Sequence, residues 1–210
     1  MADRGRPRSF DRTEALERAM QVFWKKGYEG ASLNDLTAAM GIGCPSLYAA
    51  FGSKENLFLE AIAHYESVVG TEIWEAIEKA PTARAAMQDF LHATVEAYSS
   101  TDSPRGCLIA LGALHQDSSS GRICADLRRR RAENIDTLRR RLQRGVMEGD
   151  LPAAFDCNAA ALFYATTQNG MSILARDGAS REALAAVAEG AIAAFQPLAD
   201  KANIRAPHGP

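Results

Sequence analysis

The stretch "MGIGCPSLYAAFGSKENL", residues 40–57, places Gly41, Gly43 and Pro45 within five positions, yet a helical apolar period runs up to them and resumes after them. On the N-terminal side, Leu33, Leu36 and Met40 share one helix face, and Ser32 with Asp35 three residues on has the form of a capping pair. Gly41 ends that helix. Pro45 suits the first turn of the next, where its missing N–H removes a donor that would be unpaired anyway. The third helix is predicted over 45–51, carrying Leu47, Tyr48 and Phe51; Gly52-Ser53 closes it, and Ser53 caps a fourth helix from Lys54. The break is a tight corner between two short helices, with Leu36, Met40, Ile42 and Leu47 as its apolar wedge. Such a corner can hold the second helix in a DNA major groove with its N-terminal residues at base edges, or it can be an ordinary αα-corner of a helical core.

Outward from the corner the pattern stays helical. Leu16, Ala19, Met20, Phe23 and Trp24 step along one face of a first helix, which Asp11 and Glu14 open and Gly27 is expected to stop. Downstream, one helix is predicted over 54–79, weakened or kinked at Gly70 and ended by Pro81. Further helices are expected over 82–100, within 107–115, over 122–148, over 156–175 and over 181–199, with a frayed tail from Asn203. No strand-like alternation and no internal repeat stands out, so the expected fold class is all-α.

Composition is that of an ordinary globular chain: 210 residues, 47% hydrophobic, 24% charged. No apolar run approaches the roughly 18 residues needed to cross a bilayer, and the basic N-terminus has no apolar segment behind it, so no membrane partner and a cytoplasmic location are expected. The formal net charge of −2 argues weakly against wholesale nucleic-acid binding, but Arg4, Arg6, Arg8 and Arg12 crowd the first dozen residues. The arm Arg4-Gly5-Arg6-Pro7-Arg8 can follow phosphates or enter a narrow minor groove, or be a solvated basic tail. Cys44, Cys107, Cys124 and Cys157 form no CxxC pair and read as reduced thiols; His64, His92, His115 and His208 are too scattered to suggest a metal pair. Neither a metal nor a cofactor is expected. No Ser/His/Asp or Cys/His arrangement, phosphate-binding glycine loop or HExxH is seen, which speaks against an enzyme. The arginines of 128–131 and 139–141 share their helix with Glu133, Asp136 and Glu148, so a solvated, ion-paired surface is expected rather than a DNA patch.

The arm and the corner together resemble the TetR/AcrR family of bacterial repressors. The likeness is carried by "FWKKGYEGAS", "LNDLTAAMGI" and "SLYAAFGSKENLFLEAI", with Gly27-Tyr28, Ser32, Gly41-Ile42, Leu47-Tyr48, Phe51, Ser53-Lys54 and Leu57 at that family's hallmark positions. The resemblance implies a DNA-binding helix-turn-helix head with a basic arm over residues 1–54 and a helical effector-binding and dimerisation domain over 55–210. It implies a homodimer on palindromic double-stranded DNA, released by a small molecule. Ser32, Tyr48 and Lys54 would touch the DNA backbone, and Gly43, Cys44, Pro45, Ser46 and Ala49 would face the groove. Here the sequence departs from the usual pattern: these positions offer no Arg, Asn or Gln for bidentate base contacts. Direct readout is therefore expected to be thin, with the arm and DNA shape carrying more of the specificity.

The same resemblance makes Tyr65, Val69, Trp74, Phe90, Tyr98, Cys107, Leu111, His115, Tyr164 and Gln168 candidate effector-lining residues, each with an alternative as plain core. Few charged residues fall on these faces, which suggests a small apolar or aromatic effector, or a reactive one. Arg105-Gly106-Cys107-Leu108-Ile109 is similar to a "GCLI"-type stretch of TetR relatives, some of which sense electrophiles or oxidants; Cys107 is either such a sensor or a small buried hydrophobe. Ala159, Phe163, Thr166, Thr167, Ala188, Ile192 and Phe195 are the expected dimer interface. A helical small-molecule-binding module without DNA binding is the remaining rival, and Tyr48, Lys54 and the arm speak against it.

Overall fold

The computed structural model describes residues 10–100, 104–113 and 121–205, and among them every regular element is helical. The first, α1 (Arg12–Gly30), starts at Asp11, whose carboxylate accepts from the Thr13 and Glu14 amides, and it buries Ala15, Ala19, Met20, Phe23 and Trp24. α2 (Leu33–Met40) opens on the reciprocal Ser32–Asp35 capping box and closes on Gly41, which adopts φ 67°, ψ 28°, a left-handed conformation open to glycine at little cost. α3 (Cys44–Phe51) carries Pro45 in its first turn and buries Leu47 and Phe51. α4 (Lys54–Tyr65) is capped by Ser53, whose hydroxyl accepts from the Asn56 amide.

The helix expected over 54–79 is interrupted. Between α4 and α5 (Thr71–Lys79) lies one π-helical turn, Glu66–Gly70. Its loosened carbonyls are served by a side chain: the Thr71 hydroxyl donates to Ser67 O at 2.9 Å. α6 (Ala83–Ser99) follows a Thr82 cap. α7 (Leu108–Leu111) is shorter than the helix expected within 107–115. α8 (Gly121–Met147) and α9 (Cys157–Arg176) lie close to expectation. The helix expected over 181–199 divides into α10 (Arg181–Ala193) and α11 (Phe195–Arg205). Pro197 has no N–H to give the Ala193 carbonyl, so the helix breaks one turn ahead of it and restarts with Pro197 in its first turn.

Two apolar clusters hold these helices together. The body cluster joins α5, α6, α8, α9 and α10 through Ile77, Phe90, Leu91, Leu138, Leu142, Tyr164 and Leu184. The head cluster is built on Phe23, Trp24, Leu36, Leu47 and Phe58, and it takes in Leu108 and Ile109 of α7 and Ile123 and Leu127 of α8. At its centre the Phe23 ring meets Phe58 edge-on at 4.9 Å, and Trp24 meets Tyr65 edge-on at 4.8 Å. The reading head is thus packed against the body, not tethered to it.

Part of the arginine set on α8 forms the ion-paired surface the sequence suggests. Arg129 bridges Asp126 and Glu133, Arg139 meets Asp136, Arg144 meets Glu148, and Arg130 joins Asp126 to Glu66 of the π turn. Arg131 instead donates to Ile109 O at 2.9 Å, and Arg140 to Thr137 Oγ1 at 3.0 Å. Arg141 turns inward. It is 2% exposed and donates to Ile77 O and Ala80 O, capping the C-terminus of α5 from inside.

Candidate nucleic-acid interface and effector core

The exposed side of the α2–α3 corner carries the predicted DNA contacts. Gly43, Pro45 and Ala49 are exposed, Cys44 and Ser46 half-buried, and Tyr48 is 46% exposed despite its ring. Gly43 supplies no side-chain cap, so the first-turn amides of α3 are free to meet an anion. Ser32 is exposed at the start of α2, its hydroxyl engaged with Asp35 at 2.7 Å. Those hydrogen bonds, with one from Lys26, pull the Asp35 carboxyl down to about 2. Lys54 holds its Nζ 4.5 Å over the Tyr28 ring, and burial lowers its pKa. Arg12 is drawn inward, to Glu60 at 2.6 Å and over the Phe51 ring at 4.4 Å. Arg4, Arg6 and Arg8 lie outside the described residues. Asn34, exposed in the first turn of α2, is a further polar group that the sequence reading passed over; its place two residues after the Ser32 cap was the available signal.

The effector candidates divide into groups. Tyr65, Tyr98 and Cys107 come together: both phenols are buried, and the Cys107 thiol stands close enough to act on both. Burial, and then the neighbouring thiol, raises both tyrosine pKa values well above the ordinary phenol. Arg131 and Arg176 stand near enough for their charges to be felt at this thiol, and burial lowers the pKa of each. Val69 packs against the head cluster. Trp74 tilts onto Phe90 at 5.7 Å in the body cluster. Leu111 sits beside Gly106, and Gln168 is buried, donating to Thr94 Oγ1 at 3.1 Å. Tyr164 is not brought to the thiol: its hydroxyl donates to Ala191 O at 3.3 Å and its ring packs on Phe163 and Phe195. His115 lies outside the described residues.

Of the expected interface residues, Ala159, Phe163 and Thr166 are exposed, and Thr167 and Ile192 are half-buried. Ala188 and Phe195 are corrections: at 0% and 4% exposure they pack inside the single chain, on the inward faces of α10 and α11. The exposed apolar face is made instead by Leu162, Phe163, Ile173 and Leu174 of α9 with Val187 of α10. Leu162, Thr166 and Ile173 step by four and seven, a second stripe opposite Ala161, Tyr164 and Met171, and that doubled pattern was visible in the sequence.

Residues 15–61 match the family model of bacterial regulatory proteins, tetR family, and residues 81–191 match that of the tetracyclin repressor-like C-terminal domain. The chain belongs to the TetR family of transcriptional regulators. It is 36% identical over 186 residues to the HTH-type transcriptional repressor ComR of Escherichia coli (strain K12), covering 88% of this chain and 89% of that protein. To the HTH-type transcriptional repressor BdcR of the same organism it is 30% identical over 187 residues, 88% of each. In structure it is similar to a cysteine mutant of the TetR family transcriptional regulator CifR complexed with 26 bp double-strand operator DNA, with 48% identity, a TM-score of 0.88, and coverage of 90% of this chain and 100% of that one. Such TetR-family relatives are regulators of transcription and not enzymes, and operator DNA is their ligand in the CifR complex.

Proposed function

We propose that this TetR-family protein is a dimeric repressor that binds a palindromic operator and is released by a small apolar or aromatic effector. The exposed corner is the observation that carries it: the first turn of α3 has no side-chain cap, Tyr48 is exposed on the same helix, and Lys54 opens α4, groups that would meet phosphates. In the dimer, reading helices would sit about 34–36 Å apart, one turn of DNA. The head is residues 1–54 and the effector and dimerisation body is 55–210, in a bacterial cytoplasm. Effector bound among the body helices moves α4, and the half-site spacing is lost. The test is selection of bound DNA from a random pool, then competition of the complex with metabolites and electrophiles. Enrichment of a palindrome supports the reading; a pool without sequence preference at any salt concentration removes it.

A second reading makes Cys107 the sensor. Its support is the setting of the half-buried Cys107 thiol, beside two buried phenols and within a segment whose carbonyls hold Arg131 at Ile109 O and Arg176 at Arg105 O. Loss of operator release by electrophiles in Cys107→Ser, with DNA affinity retained, is the expected result; unchanged release assigns sensing elsewhere.

A further inference from the structure

The end of α1 is opened in a way that ties the reading head to the body. At Gly27 the backbone takes φ 71°, ψ 174°, outside the helix. A regular helix would pair the Tyr28 amide with the Trp24 carbonyl four residues back. Here both groups find partners in the body. The Tyr28 amide donates to Gly112 O at 2.8 Å. The Trp24 carbonyl accepts from Arg176 Nη2 at 2.8 Å, and Arg176 Nη1 donates to Lys25 O at 3.4 Å. A half-buried cation at a helix C-terminus suits those carbonyls.

The partners on the body side form one strap, residues 105–112. Arg176 Nε donates to Arg105 O at 2.9 Å, and Trp24 Nε1 donates to Gly106 O at 2.8 Å within the core. Gly106 lies so close to α9 that a Cβ there would meet Ser172 O at 2.6 Å. The Cys107 amide donates to Ser172 Oγ at 2.7 Å. Cys107 therefore sits in the middle of the segment that α1 hangs on, between the Gly106 and Gly112 carbonyls. If the strap shifts, the Tyr28 amide loses Gly112 O and the Trp24 carbonyl loses its cation, so the end of α1 is freed. An element that the body can hold or release in this way is what a switch requires.

We propose that Arg176 is a positioning residue for regulation: with the 105–112 strap it holds α1 open at Gly27, a joint between body and reading head that acts beside α4. A displacement at Cys107 reaches the head through Gly106–Trp24 and Gly112–Tyr28. The DNA part of its test rests on the repressor reading, whereas the exchange part does not.

The experiment uses the full-length protein with Cys44→Ser, Cys124→Ala and Cys157→Ser, alone and with Arg176→Met, Arg176→Lys or Trp24→Phe added. Amide exchange at Tyr28 and affinity for the selected operator are measured before and after treatment with N-ethylmaleimide, whose double bond adds the Cys107 thiol. Arg176→Met is expected to speed Tyr28 exchange and weaken operator binding by roughly tenfold each, the scale of a lost charge-assisted hydrogen bond. Arg176→Lys should recover part of both, which a purely packing role would not give. The adduct should reproduce these changes in the parent and add less than about twofold to Arg176→Met. Trp24→Phe keeps an aromatic ring and loses the donor, so it tests the joint if Arg176→Met does not fold. Tyr28 exchange within about twofold of the parent in both variants overturns the joint. A parent that prefers no DNA sequence counts against the repressor reading, and Tyr28 exchange alone then decides whether the joint exists.

Discussion

At the scale of single residues, the head is held by polar groups with readable signs. Asp35 is the clearest: bonded by Lys26 and Ser32, its carboxyl is held near 2, below its ordinary 3.8. A depressed carboxyl stabilises the fold above its unfolded value and ceases to do so as it protonates. The stability difference between wild type and Asp35→Asn should therefore be full at neutral pH, shrink as pH falls through about 4, and vanish near 2. Denaturation at several pH values measures it; a difference constant across that window contradicts the assignment. Lys54 makes a different prediction. If it makes the one phosphate contact proposed for it, its loss in Lys54→Met should weaken all DNA sequences alike and reduce the slope of log affinity against log salt by about 1. A changed sequence preference with an unchanged slope would make Lys54 a base reader instead. Since the accessible side of α3 carries only Cys44, Ser46, Tyr48 and small residues, deletion of residues 1–8 should blunt operator preference if α3 is the reading helix proposed above. Equal preference after deletion would make the arm a tail.

Between residues and the molecule stand the helices, and here the corner decides. Gly41 at φ 67° is the pivot of α2 and α3. An L-residue there carries a left-handed penalty of about 1–2 kcal/mol, so Gly41→Ala should lower the unfolding free energy by that amount, read from denaturant midpoints at unchanged m-value. A neutral effect would mean the turn can be made another way. The caps at Asp11, Ser32 and Ser53 and the Pro45 start were legible because each is a local event: a short polar side chain meets amides two or three residues away. What the sequence concealed depends on distant partners. Gly27 reads as a helix stop, yet the chain turns helical again to Gly30, because Gly112 and Arg176 take up the groups the break frees. The π turn before Thr71 has no strong local mark beyond Gly70. At the candidate site, periodicity grouped Tyr65 and Tyr98 with apolar faces correctly, but it could not separate Tyr164 from them or show that Ala188 and Phe195 turn inward. On α9 both faces are apolar, and only packing against α6 and α10 tells which is core.

For the molecule as a whole, that doubled face of α9 is the consequential feature. A single chain satisfies its body core through one stripe and leaves Leu162, Phe163, Ile173 and Leu174, with Val187 of α10, 37–50% exposed. Contiguous apolar surface of this kind on a folded chain marks a contact surface. The proposed repressor supplies the matching partner: a second copy, whose same face packs on this one about a two-fold axis. The proposed dimer would also explain how a head with thin base readout can select a site. Two linked heads multiply modest affinities, typically by about 10²–10⁴ overall, provided the body fixes their separation. Leu162→Asp with Ile173→Asp places charges in the middle of that face without touching the buried stripe of Tyr164 and Met171. The variant should keep its helical signal, sediment as a monomer, and lose operator affinity by about a hundredfold or more while a half-site is bound as before. If it sediments as a dimer, the interface lies elsewhere; if it becomes a monomer and still binds the full palindrome as tightly as the wild type, the two heads are not acting as one unit and the spacing mechanism fails with them.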